Sequence, residues 1–179
     1  PCDERPRVLR LAPWPVRATC LAGLVFVLLS AQRPAAPMDM VPGAIMAEPF
    51  GCTDLELEPV DPSCPGRHFH SGIDLAAPSG TPVLAPAGGI ARVGAAGPCG
   101  IHVLLQHGAG IETLFCHLSE AAVADGEAVG PGELIGRIGA TGLATGPHLH
   151  FEVHRNGRVV DPAAWLQRIP ATTNLHGGM

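Results

Sequence analysis

From residue 68 onward, short alternating segments recur with Gly or Pro between them, a rhythm that suits strands and turns far better than long helices. "TPVLAP" (81–86) and "GIARVG" (89–94) are separated by Gly-Gly, and "IHVLLQ" (101–106) and "IETLFCHL" (111–118) flank "HGAG", a hairpin signal with Gly at the turn. "EAVGPGELIGRIG" (127–139) holds two more short strands around Pro-Gly, and "HLHFEVH" and "RVVDP" flank "RNG", whose Asn-Gly marks a tight turn. Two short segments suit helix: "LSEAAVA" (118–124), and "PAAWLQRI" (162–169) with Asp161 ahead of Pro162 as its start. Closely spaced strands of this kind predict an all-β, mostly antiparallel sandwich or barrel-like domain with a short C-terminal helix. The totals agree: 23 Gly and 19 Pro in 179 residues, with few aromatics.

The ends of the chain read differently. Arg5, Arg7, Arg10 and Arg17 precede the apolar run "CLAGLVFVLLSA" (20–31), which is shorter than the roughly 20 residues a bilayer span needs. Residues 1–36 therefore read as a signal peptide or N-terminal anchor, which puts the remainder in an exported, extracytoplasmic setting and limits membrane association to that segment. Residues 37–67 read as an irregular lead-in, 68–170 as the folded domain, and 171–179 as a flexible tail. Beyond residue 36 there are six Arg against fourteen Asp and Glu, about −8 with His neutral, which argues against nucleic acid as a partner. The four cysteines there, Cys52, Cys64, Cys99 and Cys116, are an even number in an exported chain and point to disulfides. Cys52–Cys64 is the local pairing; Cys99 and Cys116 flank the predicted hairpin and can meet across it.

The histidines carry the chemistry. In "HLHFEVH" His148 and His150 are two apart, so on a strand they share a face about 6.6 Å apart. "HFHSGID" supplies His70 and Asp74, which a fully extended chain would hold about 13 Å apart. Only a bend at Ser71-Gly72 brings them to one centre. Two imidazoles and a carboxylate form a zinc set with a fourth position for water, and the ion keeps enough positive charge to acidify that water and polarise a carbonyl. No HExxH is present, so the base or donor has to be another histidine: His117 or the unused member of the HLH pair. Spacing leaves open which of His148 and His150 is the ligand. Glu152 shares their strand parity and could orient a ligand imidazole. His68 reads as a supporting or surface residue, His102 and His107 as structural, and His154 as too far along the strand to ligate.

"HFHSGIDLAAPSGTPVLAPAGGIARVG", "TLFCHLS" and "GATGLATGPHLHFEVHRNGRVVDP" together resemble the lysostaphin-type (LytM-like) zinc metalloendopeptidases of peptidoglycan, over roughly residues 68–166. The resemblance implies a compact β domain with an open groove, one zinc held by His70, Asp74 and His150, and catalytic histidines at His117 and His148. It implies a hydrolase acting on peptidoglycan peptides; with the exported setting read from residues 1–36, the expectation is a secreted, cell-wall enzyme, taken as a monomer. Where the family often has Tyr-Gly and Tyr-Ala, this chain has Cys99-Gly100 and Phe115-Cys116. Each departure introduces a cysteine, which favours a Cys99–Cys116 bridge. A non-catalytic wall-binding or hydrolase-regulating module of the same fold is the alternative. A lipoyl-type carrier barrel is disfavoured, because this sequence has no lysine to accept the cofactor.

Overall fold

The structure, a computed structural model, describes residues 40–169. The expected signal or anchor at 1–36 and the tail at 171–179 lie outside the described residues. The elements are β1 (Ile45–Glu48), β2 (Gly51–Thr53), β3 (His68–His70), β4 (Ile73–Ala76), β5 (Pro82–Leu84), β6 (Gly89–Ala95) and β7 (Ile101–Gly108). They continue with β8 (Ile111–Ala121), β9 (Ala128–Val129), β10 (Leu134–Ile138), β11 (His148–Arg155), β12 (Arg158–Val160) and α1 (Pro162–Leu166). The main sheet runs β1-β4-β11-β8-β7-β6-β9, with β10 joined to both β5 and β8, β12 to β11, and a separate β2–β3 pair. All its pairings are antiparallel.

The turn chemistry explains the hairpins. Asn156 and Gly157 both have positive φ, 52° and 74°, as a two-residue turn between β11 and β12 requires. Strand alternation then sorts the faces. On β11, Leu149, Phe151 and Val153 are fully buried, while His148, His150, Glu152 and His154 alternate with them on the other face. The buried face belongs to one core with Phe115, Leu105, Val103 and Ile135, in which the Phe115 and Phe151 rings lie 5.1 Å apart. Trp165 of α1 closes this core against Phe151 at 6.4 Å. The helix starts where the sequence suggests: the Asp161 carboxylate accepts from the Ala163 N–H and Pro162 opens the first turn.

Two expectations change. "LSEAAVA" is not a helix: β8 continues to Ala121, because Leu118 is fully buried and pairs with Ile101 on one side and Ile138 on the other. Local helix propensity yields to that burial. The lead-in is also more ordered than its composition suggests. β1 extends the main sheet along β4, β2 pairs with β3, and Met40 and Val41 are buried in the core. Both disulfides form as expected, Cys52–Cys64 and Cys99–Cys116, with Cα separations of 5.3 and 4.8 Å. Among the described residues no helix is long and apolar enough to cross a membrane.

Candidate metal centre

His70 ends β3 and Asp74 lies in β4, and the chain bends between them as the sequence requires. Gly72 permits the close approach that follows: a Cβ there would run into the Phe151 carbonyl oxygen on β11 and crowd the His150 ring. The β4–β11 register sets His150 directly opposite Asp74. Three atoms therefore converge. His70 Nε2 lies 3.1 Å from Asp74 Oδ1 and 3.0 Å from His150 Nδ1, and His150 Nδ1 lies 3.0 Å from Asp74 Oδ1.

The surrounding hydrogen bonds fix what these atoms present. His70 donates its Nδ1–H to the Pro49 carbonyl at 2.9 Å, so Nε2 turns a lone pair inward. His150 donates its Nε2–H to Glu152 at 3.1 Å, so Nδ1 does the same. Asp74 adds an anionic oxygen. Three electron-pair donors face one another, an arrangement that suits a cation at their centre. A tetrahedral ion with bonds of about 2.0–2.1 Å separates its ligand atoms by roughly 3.3 Å. The observed triangle is that face slightly contracted, so the residues present fit a metal ion.

The electrostatics agree. Burial opposes the charged form of His150, yet hydrogen bonds to Asp74 and then Glu152 outweigh it and raise its pKa to about 9. Burial likewise opposes the Asp74 and Glu152 carboxylates, but their histidine partners hold Asp74 well below the usual carboxylate range and bring Glu152 to about 2. Two carboxylates flanking one imidazole demand positive charge there, either a proton on His150 or a metal ion that displaces it. Glu152 is itself held by the Ser71 hydroxyl and by His154 Nε2, the latter at 2.5 Å.

His117 and His148 stand beside this triangle, their rings 4.7 Å apart. His148 Nδ1–H donates to the Gly146 carbonyl and His117 Nδ1–H to the Thr141 carbonyl, each at 2.8 Å. Each Nε2 is left to the groove, with that of His148 3.7 Å from Asp74 Oδ2. Burial lowers the His117 pKa, which favours its neutral imidazole. The open groove, about 300 Å³, is lined by Asp74, His117, His148, His150 and Glu152, and by Leu55, Leu57 and Glu58 from the lead-in. The structure thus gathers His70, Asp74, His117, His148 and His150 at one place. Sequence reasoning missed the Pro49 and Thr141 carbonyls, because a backbone acceptor leaves no mark on residue type. His154, set aside as a ligand, instead pairs with Glu152; His68 bonds the Glu58 carbonyl at 2.7 Å.

Comparison with known proteins follows the same line. The family described as Peptidase family M23 matches residues 68–162. The DD-carboxypeptidase/endopeptidase Mpg of Neisseria meningitidis is 47% identical over 106 residues, 59% of this chain and 24% of its own length. The peptidoglycan DD-endopeptidase ShyA of Vibrio cholerae is 42% identical over 107 residues, with coverage of 59% and 24%. The chain thus spans about a quarter of the length of these curated relatives. Among solved structures, the catalytic domain of lysostaphin from Staphylococcus simulans superposes with a TM-score of 0.54 at 29% identity, covering 69% of this chain and 92% of that one. The match to the family extends over more than half of the sequence and takes in every residue that the fold brings to the groove from β3 to β11. The chain belongs to peptidase family M23, a family of metallopeptidases.

Proposed function

We propose that this chain is a monomeric zinc endopeptidase that hydrolyses peptide bonds of bacterial peptidoglycan outside the cytoplasm, with the membrane involved only through residues 1–36 if that segment is retained. The observation that carries this reading is the convergence of three electron-pair donors, the two imidazoles fixed from behind by the Pro49 carbonyl and Glu152, beside two further imidazoles in an open groove. Substrate and compartment rest on the relatives named for peptidoglycan and DD-peptide cleavage and on the two disulfides. Zinc rests on the donor set: two imidazoles and one carboxylate suit it and leave a coordination position open.

In this reading His70, Asp74 and His150 hold the ion, which when bound supplies a Lewis acid that acidifies water and polarises the scissile carbonyl. The chain's own residues do the rest. Glu152 and the Pro49 carbonyl keep the two ligand imidazoles in the tautomers that face the centre. His117 and His148 each have one nitrogen tied to a carbonyl and the other open to the groove. A neutral imidazole takes the proton that the attacking water gives up; once protonated, it donates to the developing oxyanion or to the departing amine.

The test is turnover of purified, cross-linked peptidoglycan by the zinc-loaded chain, beside Asp74→Ala. Cleavage at peptide bonds with about one zinc per chain, both lost in Asp74→Ala, is the expected result. Full zinc content in that variant would remove Asp74 from the ligand set, and zinc without turnover would remove the enzymatic reading.

A further inference from the structure

His117 does not sit on a regular strand. Along β7, Ile101 pairs with Leu118 and Val103 with Phe115, so the single residue His102 faces two, Cys116 and His117. That is a β-bulge, which leaves a residue out of the ladder and re-aims its side chain. β8 also changes partner here: Cys116 pairs with His150 on β11, whereas Leu118 pairs with Ile138 on β10. His117, at the seam, has a φ of 62°, a left-handed conformation that non-glycine residues rarely adopt. The ladder on its own does not hold such a residue.

What holds it is the 96–100 loop. The His117 N–H, freed by the bulge, donates to the Cys99 carbonyl at 2.8 Å. The neighbouring Pro98 carbonyl accepts from the Leu143 N–H at 2.7 Å, and the Ile101 N–H donates to Thr141 Oγ1 at 2.9 Å. Thr141 in turn offers its carbonyl to His117 Nδ1 and its hydroxyl to the Leu118 carbonyl. Two loops thus interlock around one imidazole. The covalent tie between the 96–100 loop and β8 is the Cys99–Cys116 disulfide, with Cys116 buried, immediately before His117. Both cysteines line the groove.

We propose that the Cys99–Cys116 disulfide is a positioning device for His117: it fixes the bulge that turns this imidazole into the groove, so that its loss lowers turnover while the metal set stays in place. The proposal rests on the endopeptidase reading above. It separates this bridge from Cys52–Cys64, which ties the lead-in and has no bond to His117 or its carbonyl partners.

The experiment compares the zinc-loaded wild-type chain, Cys99→Ala/Cys116→Ala, His117→Ala and their combination on a DD-cross-linked muropeptide, with zinc content and Tm measured on each. Misplacing a catalytic group by about 1 Å costs on the order of 10²-fold. The double cysteine variant should therefore keep its zinc and its KM and lose roughly 10- to 100-fold in kcat. In the His117→Ala background the same change should cost almost nothing further, because the group being positioned is already gone. A merely structural bridge would lower Tm in both backgrounds without that dependence. An unchanged kcat, or an equal loss in the His117→Ala background, overturns the proposal. Should the double variant not fold, the folded Cys52→Ala/Cys64→Ala chain is treated with a trialkylphosphine. The phosphine takes up oxygen from water to become its oxide, and the remaining disulfide becomes two thiols. The same fall in kcat with zinc retained is expected, and no fall overturns the proposal. If the wild type holds zinc yet leaves the muropeptide uncut, the endopeptidase reading fails and takes this inference with it; if it cuts and disulfide loss is silent, only this inference fails.

Discussion

His107 and His117 are both buried enough that desolvation lowers their pKa, yet they are built for different work. His107 has no nitrogen to spare: Nδ1–H donates to the Gly88 carbonyl at 2.7 Å, Nε2 accepts from the Thr113 hydroxyl at 2.8 Å, and the ring packs 5.5 Å from Trp165. Its consequence is thermodynamic. An unfolded histidine takes up a proton near pH 6.5, whereas folded His107 resists it until lower pH. Stability from this group is present in full above about pH 6.5 and is lost as pH falls towards the depressed folded value. The Tm of the wild type should therefore drop faster below pH 6.5 than that of His107→Gln; parallel curves would contradict this. His117 and His148 instead keep one open nitrogen each. His117→Ala and His148→Ala should retain zinc and lose about 10²–10⁴-fold in kcat, with the double variant falling short of the product of the two. Zinc loss in His148→Ala with retention in His150→Ala would mean that the two histidines have exchanged roles.

At the scale of elements, legibility followed the range of the interactions. β7, β8, β11 and β12 are readable because alternation and turn residues are local, and Asn156-Gly157 states its own turn. β1 and β2 are only 4 and 3 residues long and hold their place by pairing with β4 and β3, which no short window reveals. The end of β8 carries helix formers whose preference is overruled by distant partners. The site divides in the same way. The bend between His70 and Asp74 follows from distance alone, but the choice of His150 over His148 depends on the β4–β11 register, which pairs residues 76 apart, and at sequence level it came from the family resemblance. The lead-in gives the sharpest case, since its Pro49 carbonyl fixes the tautomer of His70. Removing residues 37–53 should weaken zinc affinity about 10- to 100-fold, as loss of a partner behind a ligand does. It should also lower Tm, because Met40 and Val41 leave the core. Chelator competition measures the first effect and calorimetry the second. A truncated chain that binds zinc as tightly as the full one would show that the Pro49 contact is dispensable.

For the whole molecule, the proposed metal centre would act as a cross-link between distant strands. Its donors come from β3, β4 and β11, so 80 residues of chain separate His70 from His150. None of these positions is preformed in the unfolded chain, and an ion that binds only the folded state adds its binding free energy to folding. At free zinc about 1,000-fold above Kd the gain is about 4 kcal/mol. Without an ion, protonated His150 has an N–H for each flanking carboxylate, Nδ1 for Asp74 and Nε2 for Glu152. The metal-free chain should therefore remain folded but melt at a lower temperature. The expected behaviour is a Tm that rises with free zinc, returns to the metal-free value on adding a chelator, and stays flat across the same titration in Asp74→Ala. The core contributes separately: Trp165→Ala, which removes the side chain that closes the sheet over Phe151, should cost about 3–5 kcal/mol in both metal states. Because Trp165 belongs to the core face and Asp74 to the groove face, the two losses should add in the combined variant. A zinc-dependent shift that vanished in Trp165→Ala would mean that the faces of β11 are coupled, and the division of that strand into a packing side and a chemical side would not hold.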